Sequence, residues 1–293
     1  MLPILVLGAG GMLGQAFVRL LGDGALAASR ADLDIADIDA IDRKIADSGA
    51  ALVINCAAHT NVDLAEADPG PALAINGLLP GLVGTACRRA GIPLVHVSST
   101  GCYGAWKEGA YTEEDVPQPT TAHHRSKLSG EEAVRESGVE HLIVRTGWLF
   151  GGAADSPKNF VWKRMVEAAS TDRMTSDATQ RGNPTSVDDL ARQILHAAQA
   201  GYRGTINAVS HGSATRYDYV RRIVEAAGLP CAVEPTTTPF KRAAPVSPNE
   251  VATNLRLGLL GLDMMPAWED AVDGYVAELC RSPEWTALEK EHS

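Results

Sequence analysis

The stretch PILVLGAGGMLGQ, residues 3–15, joins a short apolar run to a set of glycines. The run PILVL is typical of a β-strand buried on both faces. Gly8, Gly11 and Gly14 follow at GxxGxxG spacing, which permits a tight strand-to-helix turn and a close approach of the backbone to a pyrophosphate. Unpaired N–H groups and the positive end of the next helix would stabilise that group. The stretch therefore predicts a dinucleotide-binding loop; a loop packed tightly for structural reasons is the alternative.

The same alternation continues through the first half of the chain. Further strand-like runs are ALAAS, ALVIN, PLVHVSS and HLIVRTGW, at residues 25–29, 51–55, 93–99 and 141–148. Helical patterns between the runs cover residues 12–21, 37–47, 72–90 and 122–136. Strands that alternate with helices predict an α/β fold of the Rossmann type, which is a doubly wound parallel sheet with right-handed crossovers.

The regular alternation of strand and helix patterns ends at about residue 150. A polar stretch at 175–186 and a Pro/Thr-rich stretch at 235–249 interrupt the alternation. A strand at 204–210 and helices near 160–169, 187–200, 217–227 and 268–280 complete the pattern. We therefore expect a dinucleotide-binding domain over residues 1–150 and a smaller C-terminal substrate lobe over 151–293, interleaved with the last sheet strands and helices.

Charge and cysteine usage exclude several classes of protein. A net charge of -10 argues against nucleic-acid and anionic-membrane partners, which require basic surface. The five cysteines are scattered, and neither they nor the histidines have the spacing of a metal site or a disulfide framework. The N-terminus lacks a basic segment, and no apolar run approaches the roughly 20 residues of a membrane span. We expect a cytoplasmic protein with reduced thiols and no bound metal.

The end of the second strand bears on the choice of cofactor. NAD-specific proteins usually have an acid there for the ribose 2′-hydroxyl, whereas this chain has Ser29 and Arg30. An arginine favours a 2′-phosphate, so NADPH is the expected cofactor. NADH is the alternative cofactor. In that case Arg30 would stack on adenine or lie in solvent. Asp34 and the backbone of Ile35 would contact the adenine.

Five later stretches carry a further signal: NCAAHTNVDLAEADP (55–69), GAYTEEDVPQPT (109–120), KLSGEE (127–132), VRTGWLFG (144–151) and RGNPTSVDDLA (181–191). Together they resemble the extended short-chain dehydrogenase/reductase superfamily, and within it the dTDP-4-dehydrorhamnose reductase family. The similarity spans most of residues 3–282. It implies a reductase that uses NADPH or NADH to reduce the 4-keto group of a dTDP-6-deoxyhexose, with a Ser/Thr, Tyr, Lys triad.

The resemblance implies a role for particular residues. SSTGCYG (98–104) would supply a catalytic hydroxyl from Ser99, and Lys127 matches the family lysine. Asn76 matches a helix asparagine, and Tyr103 matches an aromatic residue with a structural role. The residues and the resemblance together give the complete expected cofactor set, which is Gly8, Gly11, Met12, Leu13, Gly14, Ser29, Arg30, Asp34, Ile35, Cys56, Ala57, Ala58 and Lys127. The implied substrate contacts are Ser99, Thr100, Trp148, Asn159 and Arg181.

The stretch AHHRSKLSGEE (122–132) departs from the family at the catalytic tyrosine, where this chain has His123. Residues i and i+4 share a helix face, so His123 neighbours Lys127, whereas His124 is turned away and is expected in packing or solvent. A neutral imidazole can polarise a carbonyl through its N–H, as triosephosphate isomerase illustrates. Three interpretations stay open: His123 serves the chemistry, another group donates the proton, or redox activity is lost.

The sequence favours an NAD(P)H-dependent reductase of a keto-sugar nucleotide, or of a related small ketone. A non-catalytic NAD(P)-binding regulatory or scaffold protein of the same fold is the alternative, as is a divergent sugar-nucleotide epimerase. The expected partner is a small-molecule substrate, with no nucleic acid or membrane, and a homodimer stays open.

Overall fold

A parallel sheet of six strands lies at the centre of the computed structural model, which describes residues 2–29, 37–238 and 242–291. Its strands are β1 (Ile4–Leu7), β2 (Ala25–Ala28), β3 (Leu52–Asn55), β4 (Leu94–Ser99), β5 (His141–Thr146) and β10 (Gly204–Asn207). Their order across the sheet is β2-β1-β3-β4-β5-β10, and every adjacent pair is parallel. The predicted α/β fold of the Rossmann type is confirmed.

Helices cover both faces of the sheet, which explains the continuous apolar runs of its strands. On one face lie α1 (Met12–Leu21) and α8 (Val187–Gln199), where Val6, Phe17 and Ile194 share a core cluster. On the other lie α2 (Ile38–Ala46), α5 (Leu79–Ala90) and α6 (Ala122–Glu136), where Leu5 and Ile45 belong to a second cluster.

The strand order reverses at β1. The chain leaves β1 for β2 on one side and later reaches β3 on the other side. In an open α/β sheet, a crevice forms at the carboxyl ends of the strands at such a switch point, and ligands bind there. The glycine loop after β1 and the residues that follow β3 and β4 all lie at this edge.

A continuous helix of 22 residues, Pro69–Ala90, follows α3 (Val62–Ala67). It consists of α4 (Pro69–Ala72), a π-helical segment (Leu73–Leu78) and α5. Its length and composition would suffice for a membrane span, although the sequence patterns did not single it out. Half of its most apolar window is buried inside the fold, where α5 packs against α2 and α6, as in a core helix.

The smaller lobe is built mainly from the second half of the chain. Its elements, together with the last helices, are β6 (Leu149–Phe150), α7 (Phe160–Ala169), β7 (Arg173–Asp177), β8 (Arg181–Gly182), β9 (Thr185–Ser186), β11 (Ala214–Thr215), α9 (Arg216–Ala226), β12 (Ala232–Thr236), α10 (Leu255–Leu259), α11 (Trp268–Cys280) and α12 (Pro283–Glu291). Phe150, Tyr219 and Trp268 belong to its core. Because α8 and β10 join the central sheet, the two halves interleave; the boundary at residue 150 stays a prediction.

Candidate functional site

The glycine loop passes against the chain that follows β3. Gly8 has φ 76°, and a Cβ there would lie 2.6 Å from the backbone nitrogen of Ala57. A Cβ on Gly14 would lie 2.3 Å from the carbonyl oxygen of Gly8. Side chains are therefore excluded at both positions, and the loop, Cys56 and Ala57 form one tight cradle.

The start of α1 suits an anion. Gly11 is the N-cap and provides no side-chain cap, and the first turn contains no acid. The N–H groups of this turn are thus left for a ligand, and the helix dipole favours negative charge there. Met12 is half-buried at this end, whereas Leu13 points into the core. A dinucleotide pyrophosphate fits this cradle.

The other predicted cofactor residues are placed as follows. Ser29 comes directly after β2, and Cys56, Ala57 and Ala58 come directly after β3, all at the carboxyl edge of the sheet. Burial raises the pKa of the Cys56 thiol to about 12, so the thiol is neutral there. Arg30, Asp34 and Ile35 lie outside the described residues.

Lys127 lies beside this cradle on the inward face of α6. Its side chain is buried, and Nζ donates to the carbonyl oxygen of Val97 in β4 at 2.6 Å. Burial lowers the pKa of Lys127, and its charge is felt by Cys56. Ser99 ends β4, where its Oγ accepts from the Gly101 N–H at 3.2 Å. Thr100 is buried next to it.

His123 lies one turn before Lys127 and is 8% exposed. Burial, with His124 and Lys127 nearby, lowers the pKa of His123 to about 3, so its ring is neutral near pH 7. Nδ1 lies 3.5 Å from the amide nitrogen of Asn76. Both hydrogens of that amide are directed at other acceptors, the His59 carbonyl and Ser126 Oγ, so Asn76 does not set the ring tautomer. A hydrogen bond to the His59 backbone raises the pKa of the ring against these effects.

Asn76 connects this helix to the loop after β3. It lies in the π-helical segment and is fully buried. Its side-chain oxygen accepts from the His59 N–H at 2.8 Å, and its amide nitrogen donates to the His59 carbonyl at 3.0 Å and to Ser126 Oγ at 3.0 Å. Asn76 therefore holds the loop and α6 together around His123.

His124 packs beside His123, and Lys127 is near enough to lower its pKa. A Cβ on Gly101 would lie 2.2 Å from the His124 ring, and Nδ1 lies 3.0 Å from Thr121 Oγ1. Burial lowers the pKa of His124 to about 4. The ring is a packing element between α6 and the end of β4.

Three predicted substrate residues lie in the smaller lobe or at its border. Trp148 follows β5, and its indole Nε1 donates to Glu250 Oε2 at 2.8 Å. Arg181 is exposed and donates to Ser213 Oγ at 3.1 Å. Asn159 is fully buried; it caps α7 through the Trp162 N–H and donates to Tyr275 Oη at 2.6 Å. Because every polar atom of the Asn159 side chain is engaged, its placement favours a role in lobe structure.

A buried ion pair joins α6 to β5, and the sequence patterns did not predict it. Glu131 is fully buried and accepts from Arg145 Nε at 2.9 Å and Nη2 at 2.7 Å, from Arg135 at 2.9 Å and from Ser98 Oγ at 2.6 Å. The available signal was spacing, since Glu131 lies four residues after Lys127 on the same helix face.

Comparison with known proteins agrees with this geometry. The profile of the family described as the RmlD substrate binding domain matches residues 2–281. The dTDP-4-dehydrorhamnose reductase of Mycobacterium tuberculosis is 35% identical over 279 residues, which covers 92% of this chain and 90% of that protein.

Solved structures give the same result. A dTDP-4-dehydrorhamnose reductase of Clostridium acetobutylicum superposes with a TM-score of 0.89 at 30% identity, covering 94% of this chain and 99% of that one. The dTDP-4-dehydrorhamnose reductase of Bacillus anthracis, in complex with NADP, has a TM-score of 0.89 at 27% identity with the same coverage. This chain therefore belongs to the RmlD substrate binding domain family, within the extended short-chain dehydrogenase/reductase superfamily.

Proposed function

We propose that this protein is an NADPH-dependent reductase of a keto-sugar nucleotide, of the dTDP-4-keto-6-deoxyhexose class. The observation that carries the proposal is the junction of the glycine cradle with buried Lys127 and His123 at the switch point of the sheet. Arg30 and the NADP complex of the Bacillus anthracis relative support NADPH, and NADH is the alternative.

The proposal assigns a separate role to each group of residues in the site. NADPH supplies the hydride when bound. The cradle holds the pyrophosphate, and Lys127 orients the nicotinamide half. Ser99 and the neutral His123 ring donate hydrogen bonds to the ketone oxygen, which stabilises the negative charge that develops there.

The source of the final proton follows from the two basic groups. A neutral imidazole is a very weak acid, so His123 polarises the oxygen without losing its ring proton. Lys127 is a better acid because burial lowers its pKa. Lys127, directly or through a bound water, is therefore the proposed proton donor.

The test combines cofactor binding with turnover. NADPH and NADH are titrated by fluorescence, and the absorbance of the reduced cofactor is followed with a panel of 4-keto-6-deoxyhexose nucleotides. Removal of one such hydrogen-bond donor typically costs about 10²–10³ in kcat, so His123→Ala should lose activity on that scale while His123→Tyr retains more. Exposed His211 provides the control variant His211→Ala.

Two outcomes would contradict the proposal. Tight NADPH binding without turnover of any panel member counts against the reductase, and full activity of His123→Ala makes that residue a bystander. One observation favours the alternative of a redox-inactive NAD(P)-binding protein: the pKa of His123, about 3, is far from that of the phenol it replaces.

We further infer a cytoplasmic location and a homodimeric assembly. The five free thiols support the former. Size-exclusion chromatography with light scattering tests the assembly, and a monomeric mass would refute it.

A further inference from the structure

The loop between β6 and α7 is anchored at both ends to one hydroxyl group. Tyr275 Oη on α11 donates to the carbonyl oxygen of Gly152 at 2.8 Å and accepts from Asn159 Nδ2 at 2.6 Å. Asn159 Nδ2 also donates to the carbonyl oxygen of Ala153 at 3.0 Å. Because Tyr275 is buried in the core of the smaller lobe, the lobe determines where this loop lies. Residues 152–158 are called the strap below.

The strap contacts both walls of the glycine cradle. At its first residue, a Cβ on Gly152 would lie 3.5 Å from Met12 Cγ, in the first turn of α1. At its last residue, Lys158 Nζ donates to Thr60 Oγ1 at 2.7 Å, in the segment that follows β3. The start of α1 and the segment after β3 enclose the cradle between them. A loop of the smaller lobe therefore crosses the place that suits a dinucleotide pyrophosphate.

The cradle itself provides no cation. Residues 8–14 and 56–60, which form its walls, contain neither lysine nor arginine. Backbone N–H groups and the helix dipole are thus the only favourable electrostatic contacts that these walls offer to a pyrophosphate. Lys127 is buried and already donates to the carbonyl oxygen of Val97. A full positive charge for the pyrophosphate has to come from another part of the chain.

Lys158 is placed to provide that charge. Its side chain is exposed, and Thr60 Oγ1 is its one hydrogen-bond acceptor in the part of the chain that the structure describes. No carboxylate among those same residues forms an ion pair with it. An ammonium group carries three N–H donors, so donors remain for a ligand beside Thr60. A neutral hydroxyl holds the ammonium at the cradle without compensating its charge.

We propose that Lys158 pairs with the pyrophosphate of the bound dinucleotide, so that the strap fastens the cofactor from the smaller lobe. The inference rests on the proposed function, because it requires NADPH or NADH in the cradle. A lysine ammonium is a compact point charge that suits phosphate oxygens. A cofactor held beneath the strap can leave only after Lys158 has released it. The contact should therefore act mainly on the rate of cofactor release, as most binding contacts do.

The experiment measures release of NADPH and of NADH by stopped-flow fluorescence, together with equilibrium titrations. Lys158→Gln and Lys158→Arg are compared with wild type, and Lys163→Gln, from an exposed position on α7, is the matched control. Loss of one hydrogen bond to a charged group predicts release about 10-fold faster, and affinity about 10-fold weaker, in Lys158→Gln. The factor should be the same for both cofactors, because both contain the pyrophosphate. Lys158→Arg should restore most of the loss, and Lys163→Gln should match wild type.

Several results would overturn the proposal. A loss confined to NADPH would assign Lys158 to the 2′-phosphate, and a loss of dTDP affinity without a loss of NADPH affinity would assign it to the substrate. An equal loss in Lys163→Gln would reduce the effect to surface charge.

Cofactor binding also separates the strap from the reductase. If Lys158→Gln releases both cofactors faster while no keto-sugar nucleotide is reduced, the strap stands and the reductase fails. If keto-sugar nucleotides are reduced and Lys158→Gln releases both cofactors at the wild-type rate, the reductase stands and the strap fails. Wild type that binds neither NADPH nor NADH overturns both.

Discussion

Replacing Glu131 with glutamine tests whether the buried ion pair under α6 stabilises the fold. The carboxylate is fully buried, and the Arg145 side chain that it pairs with is only 5% exposed. Glu131→Gln keeps the shape but leaves Arg145 as an uncompensated buried cation. Breaking such a pair typically costs about 3–5 kcal/mol, a large share of the ~5–15 kcal/mol that stabilises a domain. Urea unfolding should therefore show a much lower midpoint with an unchanged m-value.

The control is Arg135, the second partner of Glu131, whose side chain is 38% exposed. Because solvent can replace its ion pair, Arg135→Gln should cost about 0–1 kcal/mol. A loss below ~1 kcal/mol in Glu131→Gln, or equal losses in both variants, would refute the reasoning.

The pH dependence of Glu131→Gln gives a second check. Burial alone would raise the pKa of Glu131, but Arg145 and Ser98 hold it below its ordinary value. A carboxyl with a lowered folded pKa contributes its full stability above the unfolded pKa, about 4.3, and loses that contribution as pH falls through the folded pKa. The stability gap between wild type and Glu131→Gln should thus be constant above about pH 5 and narrow below about pH 4.

Three further predictions follow from close contacts and buried histidines. Gly8→Ala should abolish NADPH binding in a fluorescence titration, because its Cβ would lie 2.6 Å from the nitrogen of Ala57, whereas Gly10→Ala meets nothing within 4 Å and should bind normally; equal affinities would contradict the cradle. Gly101→Ala places a methyl group 2.2 Å from the His124 ring, and overpacking of about 1–3 kcal/mol should lower Tm by several degrees in calorimetry, so an unchanged Tm would exclude this contact. The two neighbouring histidines of α6 have pKa values lowered to about 3 and about 4, so below pH ~6.5 the unfolded chain binds protons that the folded chain does not. Stability should then fall with decreasing pH by about 1.4 kcal/mol per unit for each of them, and equal urea midpoints at pH 7 and pH 5 would contradict their burial.

The periodic elements of the first half were predictable because local pattern determines them. The helices over 12–21 and 122–136 begin and end at the predicted residues. Strands β7 and β12 were not predicted, because they lie in or beside the polar and Pro/Thr-rich stretches and are stabilised by pairing with each other across the lobe. Such pairing depends on distant residues and leaves no local period.

The residues of the candidate site also differ in whether a local sequence pattern could predict them. Gly8 and Lys127 could be predicted as site residues because a glycine loop and an i, i+4 pair are local signals. Arg216 and Glu250 were missed because they meet at Trp148 from segments far apart in the chain, and no spacing relates them. Asn159 was implied by the resemblance alone; its side chain caps α7 here, and its contact with substrate stays a prediction.

The π-helical segment Leu73–Leu78 makes the length of its helix intolerant of change. A π turn contains one residue more than the α turn that it replaces. Deleting any one residue of the segment would restore a regular α-helix with the flanking turns in nearly their present rotation, but it would remove the bulge that positions Asn76. Asn76 would then leave its contacts with His59 and Ser126. Variation in chain length, which surface loops absorb readily, should therefore be selected against within these six residues.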